Sequence, residues 1–228
     1  MLYNIFMNSR QDLLLKAIVE LHIDSANAVG SKTLVEEAKF DLSTATIRNE
    51  MSTLETDGFI YQPHTSSGRV PTIKGYQYYL DNLLSVQNLS EEEERELKKV
   101  YQNGVRDLAK YLVDKTQLAS IIAFAPSDFY FTGLFNLFSQ PEFEDYKMVL
   151  SMSQVVDSLE KALNGVYHQI SEPKVLLGPN NPFSEYCSVA ITPLETKDKE
   201  LLAILGPVRM DYNKILALLA SVVKITKV

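Results

Sequence analysis

Between Leu42 and Arg69 the chain reads LSTATIRNEMSTLETDGFIYQPHTSSGR, a stretch whose polar side chains suit the edges of nucleic-acid bases. Arg48 can donate two hydrogen bonds to guanine O6 and N7, and Asn49 can donate to and accept from adenine N6 and N7. For that chemistry both must stand outward on one face of a helix. The spacing provides such a face. Ile47, Met51 and Leu54 recur at intervals of four and three, a buried stripe that turns Ala45, Thr46, Arg48, Asn49 and Ser52 outward or to the flank. Ser43 is a good N-cap and Gly58 stands where a left-handed residue would end the helix, which predicts a helix from Thr44 to Asp57. Phe59 to Gln62 then alternates as a strand, and after His64 the run Thr65-Ser66-Ser67-Gly68 is turn chemistry ending in Arg69. Helix followed by hairpin is a winged helix in outline, although any amphipathic helix of a small domain has a solvated outer face that can carry an Arg.

The elements that hold this helix are also legible. From Ser9 to Ser25, the residues Leu13, Leu14, Ala17, Ile18, Leu21 and His22 fall at three- and four-residue intervals, with His22 at the stripe edge. Ser31 caps a short second helix, Lys32 to Lys39, and Phe40-Asp41-Leu42 turns into the third. Two helices joined so closely fit a helix-turn-helix, whose second member lies in the major groove. Lys32 and Thr33 open the second helix, where free amides and the helix dipole favour a phosphate; a solvated surface is the equal alternative. Pro71 and Thr72 begin a fourth helix with Tyr76, Tyr79, Leu80, Leu83 and Leu84 on its inner stripe. Tyr78 is offset from that stripe, towards either DNA or a second domain. The candidate phosphate contacts are Lys32, Arg48, Arg69 and Lys74. Arg69 follows a flexible wing tip and has no fixed acidic neighbour in sequence, so it reads as a phosphate or minor-groove contact.

Residues 8–84 resemble the N-terminal domain of the HrcA family, the bacterial heat-shock repressors. The blocks that carry the likeness are AVGSKTL at Ala28 to Leu34, STATIRNEM at Ser43 to Met51, and PHTSSGRVPTIKGYQYY at Pro63 to Tyr79. It resumes with GLFNLFSQPEF at Gly133 to Phe143, CSVAI at Cys187 to Ile191 and LGPVRMDY at Leu205 to Tyr212. The resemblance implies a repressor of chaperone genes that binds an inverted-repeat operator in double-stranded DNA as a homodimer, and it leaves a GroEL-type chaperonin open as a partner. Set on the helix face and the loop described above, it implies DNA contacts from Lys32, Thr33, Ser43, Thr44, Ala45, Thr46, Arg48, Asn49, Ser52, His64, Thr65, Ser66, Ser67, Arg69 and Lys74. Family members usually add a GAF-like domain with an inserted dimerisation domain. Here only Ser127 to Thr132 intervene between Pro126 and Gly133, so the usual dimer contact is missing, and dimerisation is expected to move to a striped helix at Glu91–Gln117 or to a face of the reduced second domain.

With 228 residues, 46% of them hydrophobic, the chain can bury a core and is expected to form two domains. The lone Cys187 cannot make an internal disulfide and no run approaches eighteen apolar residues, which favours a reducing cytoplasm over secretion or a membrane. The opening MLYNIFM is too short for a signal-peptide core and lacks a basic region; its apolar residues are expected to cap the first helix, and Met7 is an alternative start. Charge argues against nucleic acid. Residues 1–84 hold seven Lys or Arg against ten Asp or Glu, a net of −3, and the whole chain carries −7. A DNA-binding module this acidic should bind weakly away from its site and depend on a few well-placed cations.

Ser85 to Ser90 is polar, and Ser90-Glu91-Glu92-Glu93 is a capping-box pattern. The expected domains are therefore 1–88, a winged helix-turn-helix, and 89–228, a long linker helix followed by a reduced GAF-like α+β domain. The linker helix, Glu91 to Gln117, carries Leu97, Tyr101, Val105, Leu108 and Leu112, a stripe that needs either a partner chain or its own second domain. Beyond it, Leu118–Phe124, Phe129–Thr132, Lys174–Leu177, Tyr186–Thr192 and Leu201–Gly206 read as strands. Gly133–Ser139, Glu142–Gly165 and Tyr212–Lys224 read as helices. Catalysis has no candidate constellation, and no cofactor or metal site is expected. Gly30-Ser31-Lys32-Thr33 only echoes the tail of a phosphate loop, and His22, His64 and His168 are scattered without ligand spacing. Arg209, Asp211 and Cys187 could line a pocket, but an Arg–Asp pair and a core thiol are the simpler roles. The alternative function is a protein-interaction module or ligand sensor built on a winged helix, its acidic surface binding protein.

Overall fold

The computed structural model describes residues 9–65, 67–196 and 199–227. The apolar start expected to cap the first helix and Ser66 of the loop lie outside them. The chain divides into two compact units, Met1–Ser85 and Val86–Val228.

The first unit begins with α1 (Ser9–Ser25). Its buried side chains are Leu14, Leu15, Ile18 and Val19, and Leu13 is 60% exposed. The stripe thus runs one position later than the spacing suggested, because pairs of adjacent residues one turn apart face the core. α2 is Ser31–Glu36, shorter than expected, since Lys39 takes a left-handed φ of 52° before the turn into the next helix. Gly30, not Ser31, is its N-cap residue. α3 is Thr44–Thr56, buries Ile47, Met51 and Leu54, and is capped by the Ser43 hydroxyl, which accepts the Thr46 N–H at 3.1 Å. Gly58 follows it at φ 77°. Two short strands, β1 (Ile60–Tyr61) and β2 (Val70–Pro71), then pair antiparallel.

Pro71 belongs to that hairpin, and α4 (Ile73–Tyr78) starts two residues later, its cap the Thr72 hydroxyl accepting from Gly75 N–H. A π-helical turn continues it from Tyr79 to Leu83. Gly75 is required where it stands: a Cβ there would lie 2.1 Å from the Phe59 carbonyl oxygen. Tyr78 is engaged within the first unit. Its hydroxyl donates to Asp12 at 2.9 Å and its ring meets Phe59 edge-on.

The second unit opens with α5 (Glu91–Tyr101), which carries the full capping box at Ser90 and Glu93. The expected single helix to Gln117 is broken: Gly104 adopts φ 112°, and α6 (Val105–Thr116) packs back against α5. The three- and four-residue spacing runs through the break, but only glycine takes that backbone conformation at little cost. A five-stranded antiparallel sheet follows in the order β4-β3-β7-β6-β5, made of β3 (Ala119–Ala125), β4 (Asp128–Thr132), β5 (Lys174–Leu177), β6 (Cys187–Pro193) and β7 (Leu201–Pro207).

Three helices are added between β4 and β5: α7 (Leu134–Phe138), α8 (Tyr146–Asp157) and α9 (Leu159–Val166). The stretch expected as one helix from Glu142 to Gly165 is thus a 3-10 turn and two helices parted at Ser158. One sheet face, including Ile121, Val189, Ala203 and Leu205, is buried in a core shared with Met152, Val155, Leu159 and Leu163 of α8 and α9. α6 and α10 (Tyr212–Thr226) pack on the sheet as well, and Ile122, Ala190, Leu202 and Ile204 are buried too. Burial of alternate residues in both sets explains why these strands read as unbroken apolar runs. The fold is mixed α+β. No helix among the described residues is long and apolar enough to cross a membrane.

Candidate nucleic-acid interface

The first turns of α3 bring Thr44, Ala45, Arg48, Asn49 and Ser52 to an exposed face, as the stripe of Ile47, Met51 and Leu54 requires. Ser43 and Thr46 are committed to the cap, their hydroxyls 2.9 Å apart. Arg48 is oriented from below. Its Nε donates to the Ser31 hydroxyl at 3.2 Å, and Ser31 is buried at the start of α2. With Nε engaged, the two terminal nitrogens remain for an outside acceptor pair, the end-on fork that a guanine edge or a phosphate can take. Ser31 was expected to cap α2; its hydroxyl instead positions a cation on the neighbouring helix.

Beside Arg48 opens a cleft of about 500 Å³ lined by Ser31, Lys32, Arg48, Gln62, Thr65, Ser67 and Arg69, among others. It therefore gathers the start of α2, the face of α3 and the loop between β1 and β2. The loop is held by its own side chains. Gln62 Nε2 donates to the carbonyls of Thr65 and Ser67, both at 3.0 Å, and the Ser67 hydroxyl accepts the His64 N–H and donates to the His64 carbonyl. His64 and Thr65 are exposed at the tip. At the base, Arg69 and Val29 exchange backbone hydrogen bonds of 2.8 and 2.9 Å.

The cations of this unit differ in what neutralises them. Lys32 is 82% exposed with Glu36 at 3.7 Å, an i,i+4 surface pair that holds little energy. The sequence offered Arg69 no fixed acidic neighbour, and the fold supplies one: Glu55 lies 2.9 Å from both Nε and Nη2. Lys74 is not part of the cleft. Its ammonium donates to the Asp57 carbonyl at 2.7 Å and lies over the Phe59 ring, where the C-terminal end of α3 favours a cation. Of the three cations that line the cleft, Arg48 alone has no carboxylate partner among the described residues. Thr33 is half-buried on α2. Of the residues that sequence reasoning missed, Ser31 as an orienter and Glu55 act through contacts seven to seventeen residues away, a range at which no local periodicity points to them, and Gln62 ties Glu55 to loop carbonyls three and five residues on.

In the second unit Arg209 pairs with Glu142, Nε to Oε1 at 2.7 Å and Nη2 to Oε2 at 3.2 Å, rather than with Asp211. Asp211 caps α10 by accepting the Lys214 N–H. Cys187 is a buried free thiol, pushed up to about 12 by burial. The apolar stripe of α5 and α6 is covered within the unit: Leu97, Leu108 and Leu112 are fully buried. Tyr101 and Val105 of the same stripe are half-buried, which leaves little apolar surface there for a second chain. Exposed large apolar side chains among the described residues of this unit lie elsewhere, at Val86, Leu134, Phe135, Tyr146, Leu150 and Tyr186. Where relatives were expected to carry an inserted segment, β3 and β4 are joined directly through Pro126 and Ser127.

Comparison with known proteins gives this geometry a family. A solved structure described as a hypothetical protein matches with a TM-score of 0.76 at 17% identity over 97% of this chain and 99% of that one, a likeness of fold alone. The chain is 36% identical over 167 residues to the heat-inducible transcription repressor HrcA of Desulforamulus reducens, covering 72% of this chain and 46% of that protein. It is 45% identical over 114 residues to the repressor of the same name from Pelotomaculum thermopropionicum, covering 50% of this chain and 33% of that one. The matched chain thus spans less than half the length of these curated relatives. The model of the HrcA protein C-terminal domain matches residues 72–216, well over half of the sequence, and the chain belongs to the HrcA family.

Proposed function

We propose that the chain is a repressor of heat-shock genes that binds an inverted-repeat operator in double-stranded DNA through a winged helix in its first unit. The observation that carries this is Arg48, set on the outer face of a capped helix, oriented by Ser31 and free of any carboxylate among the described residues. α3 would lie in the major groove with Arg48 and Asn49 reading base edges. Thr44, Ala45 and Ser52 would line the same groove, and Ser43 and Thr46 would keep its first turn in place. Lys32 and Thr33 would meet phosphate, and the loop from His64 to Ser67 would lie along the backbone as the wing. An inverted repeat has two half-sites related by a two-fold axis, so two copies of the chain would be needed. The second unit, with helices packed on an antiparallel sheet, supports the reading of a reduced GAF-like domain that joins them through one of its exposed apolar side-chain groups.

The acidic balance of the first unit, −3 over residues 1–84, favours a second reading, a protein-interaction module. Selection of duplexes from a random-sequence pool separates the two. The expected result is enrichment of an inverted repeat, two chains per duplex in sedimentation, and a loss of about 1–3 kcal/mol in operator affinity for Arg48→Ala with one base position relaxed. No enrichment, or an equal loss on scrambled DNA, would count against base reading by Arg48.

A further inference from the structure

Glu55 lies in the last turns of α3, and its single carboxylate meets three donors from the wing. Oε1 accepts the Gln62 N–H at 3.0 Å, and Oε2 is 2.9 Å from Nε and from Nη2 of Arg69. The guanidinium is therefore gripped by the recognition helix. On the other side the Arg69 backbone is paired with Val29, and the close approach leaves no room for a side chain at Gly68, whose Cβ would lie 2.4 Å from the Val29 carbonyl. Gln62, anchored through its backbone by Glu55, holds the tip carbonyls of Thr65 and Ser67 with its side chain. One acid thus ties the base of both wing strands, and through Gln62 the tip, to α3.

This rests on the DNA-binding reading above. We propose that Glu55 is a positioning residue that sets the wing against α3 and withholds the Arg69 charge from phosphate. A phosphate approaching Arg69 must displace a charge-assisted pair and meets the negative charge of Glu55 itself. Non-specific affinity grows with the number of phosphates neutralised, so withholding one cation lowers it. Discrimination is then left to Arg48 and Asn49 on the helix face.

The test titrates the whole chain and its variants, over a salt series, against the inverted-repeat duplex that the wild-type chain enriches and against a scrambled duplex. Glu55→Gln keeps an oxygen for the Gln62 N–H but loses the charge that holds Arg69. On scrambled DNA the slope of log affinity against log salt should steepen by roughly one unit, and the preference for the operator should fall. Adding Arg69→Gln to Glu55→Gln should return the slope to the wild-type value. Arg69→Gln alone should leave that slope unchanged, because its charge is already matched. An unchanged slope in Glu55→Gln, a steep slope that persists in the double variant, or a slope flattened by a full unit in Arg69→Gln overturns the proposal. If the wild-type chain enriches no inverted repeat, the DNA-binding reading itself fails and takes this proposal with it.

Discussion

In Met1–Ser85 each strand is two residues long, and the side chains that orient them are polar: Glu55, Gln62, Ser67 and Thr72 bond to backbone groups or to a cation. In Val86–Val228 three strands run seven residues each, and Ile121, Val189 and Leu205 on them are fully buried. The energetic weights of the two devices differ. A net intramolecular hydrogen bond contributes roughly 0.5–1.5 kcal/mol, whereas burying a large aliphatic side chain contributes about 1.5–3 kcal/mol. The polar network of the first unit therefore adds geometry more than stability. On the DNA-binding reading proposed above, such a surface gains from side chains that are aimed without being covered. The second unit, with apolar residues buried on successive strand positions, has the larger reserve of burial.

The substitution with the largest expected effect attacks the tighter of the two close backbone approaches at glycines of the small unit, Gly75 rather than Gly68. Gly75→Ala puts a Cβ 2.1 Å from the Phe59 carbonyl oxygen, so α4 must lift from the backbone that leads into β1, at a cost of about 3 kcal/mol or more. Amide exchange should show protection lost across α1 to α4 while β3, β6 and β7 keep theirs. Retained protection in α4 would show that the helix does not sit so close to the strand.

A smaller effect sharpens the contrast between aiming and burial. Ser31→Ala removes the hydroxyl that accepts from Arg48 and should weaken operator binding by about 1 kcal/mol, less than loss of Arg48 itself. Binding to scrambled DNA should hardly change, and Ser31→Thr should recover most of the loss. Equal weakening on both duplexes would assign Ser31 to packing alone.

The effect that is smallest at neutral pH, where it vanishes, is in the second unit and appears only in alkali. Cys187 ionises near 9.0 when unburied, and burial pushes it up to about 12 in the fold. The unfolded chain therefore loses this proton first. The stabilisation is fully present below pH 9.0 and is lost as pH rises towards 12. Denaturant unfolding of the second unit over that range should show declining stability, and Cys187→Ala should make the decline shallower. A slope identical in the two proteins would mean that the thiol is open to water.

Features that depend on neighbours within one or two turns were legible in the sequence. The Ser43 cap, the stripe of Ile47, Met51 and Leu54, the left-handed Gly58, the capping box at Ser90 and the apolar strands all stand where spacing placed them. Periodicity was a poorer guide where two phases were compatible with it, as in α1, where Leu13 turned out to be exposed and Leu15 buried. It also could not register an interruption that keeps the period, as Gly104 does between α5 and α6.

What the tertiary structure alone decided is which charged and polar groups meet. Arg48 finds Ser31 seventeen residues earlier, Arg69 finds Glu55 fourteen residues earlier, and Arg209 finds Glu142 sixty-seven residues earlier. The site was therefore half visible: the outward face of α3 could be named, but not the partners that hold Arg48 and Arg69. A hydrogen bond needs its two groups within about 3 Å, and such proximity between distant segments arises only after burial of Ile47, Met51, Leu54 and their counterparts has brought the segments together. Local spacing sets the face each residue shows, and packing sets what stands opposite it.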